Sequence, residues 1–462
     1  MSNLKRRLYT CIIFCISIVS SLTARPAQEY RYPESPEVLE TLKEWQDLKF
    51  GLFIHWGTYS QWGIVESWSL LPEPIELCYG PRPDSLSYFE YKKAYEGLKN
   101  TFNPQKFDAR KWAAVAKEAG MKYVVFTTKH HDGFNMFDTK ATDYKITDKD
   151  CPFSSSEKAN VFAEVSKAFR ENGFMVGAYY SVPDWHSNDY WWDKFPPLGK
   201  GINYPADKFP ERLERFHDFV DTQLNELTCG DYGKIDIVWF DLCYAEPTMP
   251  WDRYARTIRD NQPGAMIVTR HTGTIYENYR TPEQTVPDKA LEYPWESCIT
   301  MGTSWSYKPD DRYKSTKQLI GLLVKIVSRG GNLLLNVGPD SNGELAPEML
   351  DRLSAIGKWM DIHSEGIYGS RTFAPYSEGD FFFTQKDNGI YAYCITKGDE
   401  VNVPEKVILK SIDSKLFKTV KVLGTNRNLK YKVTDNGIEI TIPKAVSSSI
   451  AADGIWCLKF SK

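Results

Sequence analysis

Between about residue 35 and residue 340, stretches with apolar residues three and four apart alternate with short runs that are apolar throughout. The first spacing is that of a helix with one buried face, and the second that of a strand buried on both faces. Ser35 and Pro36 open a helix reaching Trp45, with serine as cap and proline where no backbone N–H is needed. Lys49–Gly57 follows as a strand ending on a polar side chain, His55. Asp108 caps a helix with Trp112, Val115, Ala116 and Ala119 on one face; Gly120 stops it, and Met121–Phe126 is the next strand. A helix from Asn160, carrying Val161, Phe162, Val165 and Phe169, ends at Gly173 before the strand Phe174–Ser181. The unit recurs as helix Glu211–Leu227 with strand Ile235–Asp241, helix Trp251–Asn261 with strand Ala265–Arg270, and helix Lys314–Val327 with strand Asn332–Val337.

Such repetition over roughly 320 residues predicts a parallel sheet with both faces covered, most simply a (β/α)8 barrel, an open doubly wound sheet being the alternative. No Gly-x-Gly-x-x-Gly follows the first strand, which argues against a nucleotide-binding version. Near residue 370 the pattern changes to short strands, 381–384, 389–395, 420–423 and 437–442, with turn signals such as Asp387-Asn388-Gly389 between them. These predict a small antiparallel β-sandwich, more a packing partner for the barrel than a sugar-binding module. Ahead of the barrel, Lys5-Arg6-Arg7, the apolar run Leu8–Val19 and the small residues up to Ala24 form the three parts of a secretory leader. The expected organisation is a signal peptide at 1–24, a catalytic (β/α)8-like domain at 25–368 and a β-sandwich at 369–462. Export, to the periplasm or the medium, is the expected location, with no membrane span in the mature chain.

Net charge is -3 and no long basic or acidic run occurs, so nucleic acid is not an expected partner. Aromatic residues make up 14% of the chain, with 14 Trp and 27 Tyr. Flat apolar rings with N–H or O–H edges suit sugars, which brings carbohydrate forward as a substrate class. Of nine cysteines, Cys11 and Cys15 leave with the leader; the remaining seven are odd in number and lack Cys-x-x-Cys spacing, so neither a disulfide framework nor a zinc site is expected.

Polar side chains gather at the predicted strand ends: His55, His130, His131, Tyr180, Asp241 and Arg270. In a parallel barrel these ends share one mouth. Adjacent histidines on a strand point to opposite faces, and no His-x-His or His-Glu-x-x-His occurs nearby, so hydrogen bonding to hydroxyls is expected rather than a metal, and no cofactor. Glycoside cleavage needs two carboxyl groups. Asp241 is the first candidate; Glu277, Glu283, Glu292 and Glu296, in the irregular stretch after Arg270, are open for the second. The acid should occupy the drier place, while Asp241 stays ionised beside Arg270 or the histidines.

Phe50-Gly51-Leu52-Phe53-Ile54-His55-Trp56-Gly57, Phe102-Asn103-Pro104 with Phe107-Asp108, Ala119-Gly120-Met121-Lys122-Tyr123, Thr128-Lys129-His130-His131-Asp132-Gly133-Phe134 and Trp239-Phe240-Asp241 together resemble the α-L-fucosidases of glycoside hydrolase family 29, over about residues 40 to 365 and on into the β tail. The resemblance implies an exo-acting, retaining, metal-independent hydrolase of terminal α-L-fucose on oligosaccharides or glycoconjugates. It makes Asp241 the nucleophile and Glu283 the acid/base, with Glu296 as rival. It places His55, His130, His131, Tyr180, Trp239 and Arg270 in the fucose pocket, with Trp185 and His186 on its wall. Relatives often carry Ser-Glu-Trp where this chain has Glu66-Ser67-Trp68, and glycine after the nucleophile where it has Leu242-Cys243. Glu66 and Trp68 are therefore sugar ligands by a looser match, and the loop past Asp241 shapes a different acceptor side. Cleavage of an α-L-galactoside as a side activity, or fucose binding without turnover, are the alternative readings.

Overall fold

The computed structural model describes residues 30–462 apart from 72–85, 198, 242–248, 271, 273, 388, 399–402 and 448–453, so the expected leader and Leu242-Cys243 lie outside the described residues. Seven parallel strands make the central sheet: β1 (Phe50–Ile54), β2 (Tyr123–Lys129), β3 (Met175–Ser181), β4 (Ile237–Asp241), β5 (Met266–Val268), β6 (Glu296–Thr300) and β7 (Asn332–Val337). Their spatial order is β5-β4-β3-β2-β1-β7-β6. Between the two outer strands runs the irregular segment 278–284. Asn278 N–H donates to Ile267 O at 2.9 Å, Glu296 N–H to Arg280 O at 2.9 Å and Gln284 N–H to Cys298 O at 3.0 Å. The expected barrel is thus built from seven regular strands, with an irregular eighth closing the ring between β5 and β6. Strand β6 itself falls in the stretch that the sequence left as loop; Glu296 and Ser297 interrupt its apolar run.

Helices flank the strands where capping and periodicity place them: α1 (Pro36–Leu48), α2 (Tyr88–Glu96), α3 (Ala109–Glu118), α4 (Val161–Glu171), α5 (Pro210–Thr228), α6 (Trp251–Asn261), α7 (Thr316–Ser328) and α8 (Pro347–His363). Ser35, Asp108 and Asn160 accept backbone N–H bonds in the first turns of α1, α3 and α4. Two apolar clusters follow from strand alternation. Val124, Phe126, Val238 and Phe240 face the helices, whereas Tyr123, Val125, Tyr179, Ile237 and Trp239 fill the barrel interior. Helix α1 plugs one end of that interior. Trp45 stacks on Tyr279 with centroids 4.0 Å apart, and Asn332 Nδ2 donates to Trp45 O at 2.7 Å.

Beyond α8, a five-stranded antiparallel sheet in the order β12-β15-β10-β9-β8 and a three-stranded one, β11-β14-β13, enclose their own apolar core. These strands span β8 (Arg371–Glu378), β9 (Phe381–Lys386), β10 (Gly389–Ile395), β11 (Lys406–Leu409), β12 (Thr419–Val422), β13 (Lys430–Thr434), β14 (Gly437–Thr441) and β15 (Ile455–Ser461). They are joined to the barrel through α8: Trp359 Nε1 donates to Ile455 O at 2.9 Å and Tyr393 O–H to His363 O at 2.8 Å. No described helix is long and apolar enough to cross a membrane.

Inside the barrel Glu296 is fully buried, accepting from Tyr123 O–H at 2.7 Å and Trp239 Nε1 at 3.1 Å. Burial pushes its pKa up to about 7, against the pull of these donors. A carboxyl group whose pKa is raised on folding stabilises the fold below its ordinary pKa of 4.5, and that contribution is lost as pH rises through 7. Denaturation of wild type and Glu296→Gln across this window should show the wild type losing stability relative to the variant as pH rises; a constant difference between the two would contradict the assignment.

Candidate active site

Three strands deliver the centre of the site. Trp239 and Asp241 share the inward face of β4, and Tyr179 lies in register with Trp239 on β3. Tyr179 O–H donates to Asp241 Oδ2 at 2.9 Å. On β2 a register irregularity between Thr127 and Lys129 changes which face each later residue occupies. Lys129 then turns outward to meet Asp184 at 3.2 Å and the Tyr180 ring at 4.4 Å. His130 turns inward. A bulge that re-aims a side chain beside an active site is a common use of this distortion.

Asp241, Glu283 and Arg270 meet in a cavity of about 510 Å³, together with Phe53, His55, Trp68, His130, Tyr179, Trp239 and Trp305. Arg270 Nε lies 3.3 Å from Asp241 Oδ1, and its Nη2 is bonded to Glu283 Oε2. One guanidinium therefore touches both carboxylates. Burial works against its charge, yet Asp241, followed by Cys298 and Glu283, raises its pKa overall. Arg270 and Gln284 hold positive φ values of 55° and 52°. Neither is glycine, and such conformations cost energy that only a well-braced setting sustains.

The histidines are neutral for a shared reason. Burial lowers His55 to about 4 and takes His130 and His131 well below the ordinary range. The proton position of His55 follows from its partner. Asn336 Nδ2 donates to Trp305 O at 2.6 Å, which leaves Asn336 Oδ1 to accept from His55 Nδ1 at 2.7 Å. His55 Nε2 is thus an acceptor. Ser67 Oγ accepts from Asp132 N–H at 2.8 Å and is also bonded to His130 Nδ1, which fixes the orientation of that ring. A neutral ring nitrogen that accepts, as His55 Nε2 does, suits the O–H of a sugar.

His130, His131 and Asp241 bring one donor atom each within 4.8 Å of one another, the spacing of a metal set among the described residues. The Arg270 cation, 3.3 Å from that carboxylate, opposes a second cation there. His131 stands behind Asp241, its Nε2 3.7 Å from Oδ2, and packs edge-on against Trp68 at 5.1 Å.

Several expected pocket residues lie elsewhere. Tyr180 points outward and donates to Gln223 Oε1 at 2.7 Å; its neighbour Tyr179 takes the inward place, because a strand's side chains alternate. Glu296 lies beneath Trp239 and does not line the cavity. Glu66 is sealed behind Val65 and Trp68, with Oε1 accepting from Ser306 N–H at 2.6 Å and burial raising its pKa to about 8. Trp185 backs Trp68 at 5.8 Å without reaching the cavity, and His186 is turned to Glu96 at 2.8 Å and stacked on Tyr144. Among the open carboxylates, Glu277 is held by Arg280 and Thr269, and Glu292 is exposed away from the cavity. The expected dry acid is not Glu283, whose side chain is 40% exposed. Glu296 and Glu66 are the dry carboxyls instead, each fully buried and outside the cavity lining. The sequence reading missed Tyr179 and Trp305. For Tyr179 the signal was present in the even spacing of Trp239 and Asp241 and the matching register of β3.

Comparison with known proteins gives the family. The sequence profile described as Alpha-L-fucosidase matches residues 17–365. Tissue α-L-fucosidase of Homo sapiens is 26% identical over 482 residues, covering 97% of this chain and 96% of that protein. Among solved structures, α-L-fucosidase isoenzyme 1 from Paenibacillus thiaminolyticus matches with a TM-score of 0.76 at 31% identity, covering 92% of this chain and 99% of that one. A family 29 α-L-fucosidase from Bacteroides thetaiotaomicron matches at 0.74 and 25% identity, covering 94% and 98%. The profile spans most of the barrel, and with it the strands that carry Asp241, His130 and Arg270: this chain belongs to the α-L-fucosidase family, glycoside hydrolase family 29.

Proposed function

We propose that this glycoside hydrolase removes terminal α-L-fucose from oligosaccharides or glycoconjugates with retention of configuration, Asp241 being the nucleophile and Glu283 the acid/base. The observation that carries the assignment is the single guanidinium of Arg270 touching both carboxylates at one cavity. Retaining chemistry needs the two groups about 5 Å apart, close enough to act on one anomeric carbon. The Bacteroides thetaiotaomicron relative has been trapped as a covalent intermediate with 2-fluoro-fucosyl fluoride, which supports the same two-step course here.

In the first step Asp241 attacks the anomeric carbon while Glu283 gives its proton to the departing oxygen. Tyr179 and Arg270 hold the Asp241 carboxylate in place, one by a hydrogen bond and one by charge. The substrate's leaving oxygen replaces Arg270 as the partner of Glu283. In the second step Glu283 takes a proton from water, which displaces Asp241. His55 and His130 hydrogen-bond sugar hydroxyls as neutral rings, so the fucose ring is oriented without a charged histidine. Export of the enzyme is supported by the leader pattern of residues 1–24 alone.

Glu283→Ala should lose about 10²- to 10⁴-fold in kcat on substrates with poor leaving groups, and azide should restore turnover of an aryl α-L-fucoside with retained configuration. Rescue of Glu296→Ala in place of Glu283→Ala would reverse the assignment. Tyr179→Phe should lower kcat/KM roughly tenfold to a hundredfold, the worth of a hydrogen bond to a charged group. Tyr180→Phe should leave kcat/KM unchanged; the opposite ranking would place Tyr180 in the pocket.

A further inference from the structure

A second cavity, of about 230 Å³, lies beside the first and is walled by the rings of Tyr88, Phe89, Trp191, Trp192 and Phe195. Its walls come from α2, which follows β1, and from the stretch after β3. Both are loops at the carboxyl ends of strands, so this cavity opens on the same face of the barrel as Asp241.

A row of indoles joins the two. Trp68 lines the catalytic cavity and meets Trp185 at 5.8 Å, and Trp185 stacks on Trp191 at 5.0 Å with 11° between planes. Trp191 lines the second cavity. Each step is about as long as one pyranose unit, so the second cavity is within reach of a glycan whose end ring is held at Asp241.

Most of these rings also have packing duties. Trp191 is 5% exposed, and Arg212 covers a face of Trp192 at 4.0 Å. Phe89 does not fit that account. It is 66% exposed on the first turn of α2, at the wall of a cavity. An exposed ring beside other rings in a concavity suits the apolar face of a sugar. The charged residues lining the cavity are equal in sign count: Lys92 is paired with Glu96, and Lys93 and Asp193 line it with opposite charge. That balance favours an uncharged ligand.

We propose that the cavity walled by Phe89 and Trp191 is a glycan-binding site that holds a neutral part of the substrate distant from the cleaved bond. It rests on the reading of the Asp241 cavity as the place where fucose is removed. The site makes the enzyme favour longer glycans, because the stacking energy adds to the binding of the fucose end.

The test uses a graded series of neutral oligosaccharides, each bearing one terminal α-L-fucose, alongside an aryl α-L-fucoside. Wild type should gain in kcat/KM with glycan length. Phe89→Ala should lose roughly tenfold on the longest members, the worth of one stacking contact, and keep its rate on the aryl fucoside, while Phe89→Trp keeps the length dependence. Calorimetric titration with the fucose-free members should show the same weakening in Phe89→Ala. Identical length dependence in wild type and Phe89→Ala, or fucose-free glycans bound equally by both, would overturn the proposal. If no enzyme released fucose from the aryl fucoside, the catalytic reading would fall, and the titration would still decide the groove.

Discussion

The site depends on keeping one positive charge between two negative ones. Arg270 leaves the end of β5 with a left-handed backbone, and its guanidinium lies against Asp241 on β4 and Glu283 on the irregular segment that closes the barrel. Without that cation two carboxylates facing one cavity would repel. With it, both are drawn together before any sugar arrives. The strained backbone at Arg270 and Gln284 is braced by side-chain bonds, Arg270 to Asp241 and Glu283 and Gln284 Nε2 to Thr300 Oγ1 at 3.1 Å.

Below this charged layer the barrel is a stack of rings anchored by a buried acid. Glu296 holds Trp239 and Tyr123. Trp239 in turn packs against Tyr179, nearly parallel at 5.5 Å, and against Phe53 at 5.2 Å. Tyr179 reaches up to Asp241. Orientation of Asp241 is therefore transmitted from the floor of the pocket through close-packed rings. Glu296, a dry carboxyl of raised pKa, is bonded into this scaffold, while Glu66, raised likewise by burial, accepts from the backbone of Ser306.

Much of this was legible in the sequence, and the exceptions have physical causes. The helices capped by Ser35, Asp108 and Asn160 and the strands up to Asp241 follow from periodicity and cap chemistry, which act locally. Strand β6 was hidden because its inward residues, Glu296, Cys298 and Thr300, are polar or small, so its apolar signal is weak. Tyr179 and Tyr180 are chemically alike, and only register across the sheet decides which one turns inward. His130 enters the cavity through an irregularity in β2 that no local pattern announces. His186 and Trp185 lie near the site in sequence order, but Glu96 at the end of α2 and Trp191 further along the same loop hold them away from the cavity.

The family assignment fixes the reaction class, and the geometry supports the proposed division of its parts between Asp241 and Glu283. The most direct test of that assignment is to inactivate the enzyme with 2-fluoro-fucosyl fluoride and locate the attached sugar by peptide mass spectrometry. The account predicts one fucosyl group, on the peptide carrying Asp241, and no label in an Asp241→Asn variant. Label on Glu283 or Glu296, or labelling that persists in that variant, would contradict it.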